Sequence, residues 1–172
     1  MWLFKTVAIS LMSLNLFISG CGFRPLYKHD TASHNILNEL SLIQIAPIED
    51  RIGQQLRNFL QDDITPRGKP TIPSYELIVK MNKTRRDLVL LQDATSTFAK
   101  VSLHASYTLT NFKTGRTLAS GSVTAKTGFT ISQSEYANIR AEAEAASRAS
   151  REISYDITRR LALFLKKTTS NN

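Results

Sequence analysis

The sequence predicts an α+β fold: a two-layer α/β sandwich with an about four-stranded, mainly antiparallel sheet and two helices packed on one face. Three observations carry this. Two segments repeat apolar residues at spacings of three and four, the signature of one-sided helices. The segments between them alternate apolar and polar residues with period two, the signature of half-buried strands. Each strand offers one apolar face, so both helices must bury their stripes against that face.

The first ordered element follows a polar, proline-containing stretch. Leu40, Leu42 or Ile43, and Ile45 read as a short strand that Pro47 ends. Ile48, Ile52, Leu56, Phe59 and Leu60 then recur at helical spacing, with Glu49 and Asp50 in the first turn, where the helix dipole favours anions. After the break "TPRGKPTIP" the period becomes two: Tyr75, Leu77, Val79 and Met81 alternate with polar residues. Leu88 and Leu90 continue on even numbers, and such a change of parity calls for a bulge or bend in "TRRD", residues 84–87. The clearest strand places Val101, Leu103, Ala105, Tyr107 and Leu109 on one face and Ser102, His104, Ser106, Thr108 and Thr110 on the other. "NFKTGR" reads as a hairpin turn, and a last strand from Thr117 to about Ser132 carries Val123, Ala125, Phe129 and Ile131 in phase.

A long closing helix is predicted from "SEYANIRAEAEAASRASREISYDITRRLALFLKK", with Ser134 as its cap. Ile139, Ala143, Ala146, Ala149, Ile153, Ile157, Leu161 and Phe164 form its stripe, and Arg148, Arg159 and Lys166 lie away from it. "AEAEAAS" keeps this phase, so it reads as a small-residue packing face. The polar sheet face is expected to be wet or to be an interface.

The N-terminus carries a different message. "VAISLMSLNLFI", residues 7–18, is too short to cross a hydrocarbon core of roughly 30 Å. It follows a weakly positive start with Lys5 and precedes Ser19, Gly20 and Cys21, the order of a secretory signal peptide and its cleavage site. Cys21 is the single cysteine, so no intramolecular disulfide is possible. "ISGC" resembles the bacterial lipobox, which implies cleavage before Cys21 and acylation of its thiol. Several acyl chains anchor a protein stably, because each buried methylene contributes about 0.8 kcal/mol. Gly22 points, by analogy with lipoprotein sorting, to the outer membrane. The expected organisation is a signal peptide over 1–20, a lipidated tether over 21–38, one domain over 39–167 and a disordered tail over 168–172.

The formal charge of +8 is spread along the chain and suits an acidic amphiphile or an acidic protein surface. An exported lipoprotein meets little nucleic acid, and none is expected as a partner. His29, His34 and His104 have no metal-ligand spacing, and no nucleophile elbow, zinc-protease motif or glycine-rich phosphate loop occurs. The expectation is a protein that is no enzyme, with no catalytic residues, metal or cofactor.

Four segments, in order, resemble one family: the lipobox with "CGFRPLY", "IAPIEDRIGQQLRNFL", "HASYTLTNFKTGRTLASGSV", and "SEYANIRAEAEAASRASREISYDITRRLALFL". This is the LPS-assembly lipoprotein family LptE, in its alphaproteobacterial form; "CGFRPLY" and "YAN" are the more specific parts. "ATSTFAK" departs from the family pattern, which has an Arg soon after the Thr. The resemblance implies an outer-membrane lipoprotein, on the periplasmic side and within a barrel lumen, that plugs and helps assemble the β-barrel LptD as a one-to-one heteromer. It also implies binding of lipopolysaccharide during its insertion into the outer leaflet. Basic residues at the hairpin tip, Lys113 and Arg116, and at the expected bend, Lys83, Arg85 and Arg86, are candidates for pairing with lipid phosphates. Ser102, His104, Ser106 and Thr108 are candidates for the barrel interface. The competing readings are a lipoprotein scaffold of a different outer-membrane barrel or secretin complex, and a lipid-anchored hydrolase.

Overall fold

A computed structural model describes residues 31–89 and 97–170. Cys21, the signal peptide and the first ten residues of the expected tether lie outside them. In chain order the elements are α1 (Thr31–Ser41), β1 (Ile43–Ile45), α2 (Asp50–Ile64), β2 (Tyr75–Val89), β3 (Thr97–Asn111), β4 (Thr117–Ile131) and α3 (Glu135–Ser170). The strands form one sheet in the order β1-β2-β3-β4, with β1 parallel to β2 and the other pairs antiparallel.

One face of this sheet is apolar and covered. Leu77, Val79, Val101, Leu103, Ala105, Leu109, Val123 and Ala125 are buried there, all at odd positions, as the alternation predicts. Leu56, Leu60 and Ile64 of α2 and Ile153, Ile157 and Leu161 of α3 close over them. The small residues of α3 do what their phase implies: Ala145, Ala146, Ala149, Ser150 and Ser154 are buried, and the Ser154 hydroxyl donates to the Asp63 carboxylate of α2 at 2.6 Å. Short side chains let two helices approach closely, and the buried Ser150 hydroxyl donates to the Ala146 carbonyl at 3.0 Å.

The β4–α3 junction explains one residue of the "YAN" segment. The buried Asn138 carboxamide accepts from the Ser132 N–H at 2.8 Å and donates to the Ser132 carbonyl at 3.0 Å. It serves the end of β4 as a neighbouring strand would. Ser134 caps the helix, its hydroxyl accepting from the Ala137 N–H at 3.4 Å. At the opposite hairpin the Asn111 carboxamide accepts from the N–H groups of Lys113 and Thr114, and Gly115 supplies the positive φ of 65° that the turn requires.

Six expectations need correction. The tether reading of 21–38 runs into α1, where Ile36 and Leu40 pack on the core; two apolar residues four apart were too short a signal to read as a stripe. α1 joins the helical layer, so three helices cover the face where two were expected. Leu40 belongs to α1 and not to the first strand. The helix α3 continues to Ser170, past the expected tail boundary, and Ile139 near its start is 58% exposed. Finally, residues 84–87 hold no bulge: β2 pairs with β3 without interruption from Tyr75↔Asn111 to Val89↔Thr97. Leu88 has even parity because it lies on the open face, 39% exposed, and the irregularity falls instead at Leu109/Thr110.

Candidate functional site

The unbroken register separates residues that the sequence grouped together. Lys83 and Arg85 have odd parity and face the helical layer. The Lys83 ammonium pairs with one Glu142 oxygen at 2.8 Å, and the Arg85 guanidinium pairs with the other at 2.8 Å and with Asp87 at 2.8 Å. Arg85 also sits over the Phe129 ring, 5.6 Å from its centroid. The hydrogen bond from Lys83, reinforced by Arg85, holds the Glu142 carboxyl below the usual carboxylate range against the opposing effect of its burial. Arg85 is driven the other way, its guanidinium stabilised first by Asp87 and then by Glu142. Both cations thus have protein anions already. Lys113 and Arg116 lie in the exposed β3–β4 turn at the far end of the sheet, roughly 35 Å along β3 from the Lys100 position.

Arg86 is different. It is on the open face, directly opposite Lys100 of β3. Lys126 of β4 lies on the same face, in register with Ser102, one alternation away from Lys100. Like charges directly opposite each other across a strand pair cost stability, roughly 0.2–1 kcal/mol. Neither Arg86, Lys100 nor Lys126 has an acidic partner among the described residues, and the one carboxylate on this face of the described sheet, Glu76, is paired with Thr110 at the other end. Next to the cations, Leu88 stands opposite Phe98, whose ring covers Gly128 so closely that an added Cβ there would collide with it. The corner therefore combines three unneutralised cations with an apolar flank, a surface suited to an anionic amphiphile.

Sequence reasoning found Arg86 and missed Lys100 and Lys126. The signal was present as parity, since both stand at even positions of strands that were recognised, but only the cross-strand register brings them together.

The rest of the open face is polar. Asn82, His104 and Thr124 form one cross-strand row, and Lys80, Ser106 and Ser122 the next but one. His104 Nδ1 is 2.8 Å from the Thr124 hydroxyl. Ser102, His104, Ser106 and Thr108 share this face, as their alternation predicts. Among the described residues no group of His, Cys, Asp and Glu could hold a metal ion, and no helix is long and apolar enough to cross a membrane.

The lipopolysaccharide-assembly family model, LptE, matches residues 37–161, which run from α1 through most of α3. The chain belongs to the LptE family. Its fold is shared with the crystal structure of a candidate lipoprotein from Caulobacter crescentus CB15, at 24% identity and a TM-score of 0.65, covering 78% of this chain and 97% of that one. The rare lipoprotein B from Shewanella oneidensis has the same fold at 9% identity and a TM-score of 0.52, with 75% and 96% covered. No curated protein sequence matches the chain. Membership assigns this LptE-family chain to lipopolysaccharide assembly at the Gram-negative outer membrane, as an assembly lipoprotein of a non-enzymatic family.

Proposed function

We propose that this LptE-family chain binds lipopolysaccharide through the open-face corner formed by Arg86, Lys100 and Lys126, while lodged in the lumen of LptD and anchored through acylated Cys21. The single observation that carries the lipid reading is the Arg86↔Lys100 cross-strand pair. Two cations held face to face without a protein anion among the described residues favour a ligand that brings its own negative charge, and phosphates accept charge-assisted hydrogen bonds from both side-chain types. Leu88 and Phe98 supply the adjoining apolar contact for the acyl part.

The test is lipopolysaccharide binding by the detergent-solubilised full chain. Lys100→Gln with Lys126→Gln should weaken binding at least about tenfold at low ionic strength, with a smaller loss at high salt, where screening shortens the reach of charge. Lys113→Gln with Arg116→Gln should change it little. The free domain carrying Lys100→Gln should be no less stable than the parent, since a repulsive pair is removed. Equal binding by parent and Lys100/Lys126 variant at low salt would reject the site.

The polar rows around Ser106 support the placement in a barrel, because small hydrogen-bonding side chains suit a wet interface with another backbone. A photo-crosslinker at Ser106 should react with LptD. One at Arg159, on the outer side of the helical layer, should not; the reverse pattern would turn the plug around. For the anchor, Cys21→Ala should abolish acyl labelling and leave the domain folded, and unchanged labelling would remove the lipobox from the account.

A further inference from the structure

The end of the sheet opposite the lipopolysaccharide corner is formed by two turns lying side by side. The β3–β4 turn meets the connection from α2 to β2, residues 65–74: Asn111 is in register with Tyr75, and the Phe112 N–H donates to the Ser74 carbonyl at 2.9 Å. Each turn holds a large apolar side chain out, with Ile72 75% exposed and Phe112 45% exposed. Pro66, Pro70 and Pro73 fix three φ angles of the connection, so Ile72 is presented at a small cost in conformational entropy. Arg67 and Lys69 flank it on one turn, and Lys113 and Arg116 flank Phe112 on the other. Residues 65–74 and 111–117 contain no carboxylate.

These cations are not neutralised by the protein. Among the described residues none of the four forms an ion pair, since the salt bridges all involve Lys83, Arg85, Arg148 or Arg159. The carboxylates that border the turns are Glu39, Asp62, Asp63 and Glu76. Glu39 accepts from the Tyr75 hydroxyl at 3.0 Å and Asp63 from the Ser154 hydroxyl at 2.6 Å, while Glu76 stands on the open face opposite Thr110. The helix α3 adds charge at the same end. Its Arg148 reaches the Gly128 carbonyl and its Arg160 the Ser122 carbonyl, so it runs antiparallel to β4 and carries Lys166 and Lys167 toward the turns.

We propose that this tip, with Ile72 and Phe112 ringed by Arg67, Lys69, Lys113 and Arg116, docks on the surface of an anionic phospholipid bilayer. Side chains of this kind meet the two layers of such a surface in order: the apolar pair enters the boundary between headgroups and acyl chains, and the cations stay among the phosphates. The tip is a projection and not a groove, which suits a soft surface that yields to it. Its own charge opposes a second copy, because two tips brought together would face cation with cation. In a chain lodged in a barrel, this is the end at the rim, where the leaflet begins. The inference does not depend on the lipopolysaccharide corner.

The test places a tryptophan at the tip of the full chain, as Phe112→Trp and separately Ile72→Trp, with Tyr155→Trp on the exposed side of α3 as the control. The parent's single tryptophan, Trp2, is subtracted. The probes are vesicles of phosphatidylglycerol and phosphatidylcholine in equal parts, and vesicles of phosphatidylcholine alone, without LptD. With the anionic vesicles the tip emission should shift to the blue, and its quenching by acrylamide should fall at least threefold. Neutral vesicles should have little effect on it, and Tyr155→Trp should respond to neither. Adding Lys113→Gln with Arg116→Gln to Phe112→Trp should remove at least half of the protection, and high salt should weaken it in the same direction. Adding Lys100→Gln with Lys126→Gln should leave it intact, which separates the tip from the corner. No response at the tip overturns the proposal and leaves a polypeptide as the partner of this end. Equal responses to neutral and anionic vesicles, or a control response as large as that of the tip, overturn it as well.

Discussion

Leu103→Ala is expected to destabilise the domain by about 2–5 kcal/mol, which for a domain of this size lowers the melting temperature by on the order of 10 °C. Leu103 is fully buried at the centre of β3, in register with Lys83 on one side and Ala125 on the other. The small Ala125 cannot fill the space left by the lost methyl groups, and the backbone of a central strand is held on both sides, so the cavity collapses poorly. The neighbouring Ser102→Ala lies on the open face and should change stability by no more than about 0.5 kcal/mol. Denaturant unfolding of the pair checks both. Similar losses for the two variants would mean that the open face is covered as tightly as the core face.

Asn138→Ala should cost about 1–3 kcal/mol, although it deletes only one small side chain. The carboxamide is 9% exposed and makes two bonds to the Ser132 backbone, which lose their protein partners together. Asn138→Asp keeps the acceptor for the Ser132 N–H and loses the donor to its carbonyl, so an intermediate loss is expected. The damage should be local as well: hydrogen exchange should quicken first in the opening turn of α3 and the last residues of β4. Full stability in Asn138→Ala would leave this segment of the family resemblance without a structural reason.

Most of the fold was legible because its signals are periodic and local. The alternation from Val101 to Leu109 and the spacing from Ala146 to Leu161 name the buried faces residue by residue, and the structure buries those residues. The failures share a cause. The open-face position of Leu88 mimicked a parity slip, since near the exposed end of β2 apolar and polar residues no longer mark inside and outside. The helix α1 gains its place from packing Ile36 and Leu40 on the other helices, a tertiary contribution that local propensity does not reveal.

The candidate site divides in the same way. By itself the sequence determined the apolar N-terminal segment with its single cysteine, the strand parities, the two amphipathic helices and the excess of basic residues, because each depends on composition or on spacing along the chain. Only the tertiary structure decided which cations have partners. Lys83 and Arg85 stand one position either side of Thr84 and face Glu142, 59 and 57 residues away, whereas Arg86 turns to the opposite face and meets Lys100. Likewise only the sheet showed that β1 is too short to cover β2. Charge neutralisation and edge pairing are contacts between distant parts of the chain, and register, which no local pattern carries, sets them.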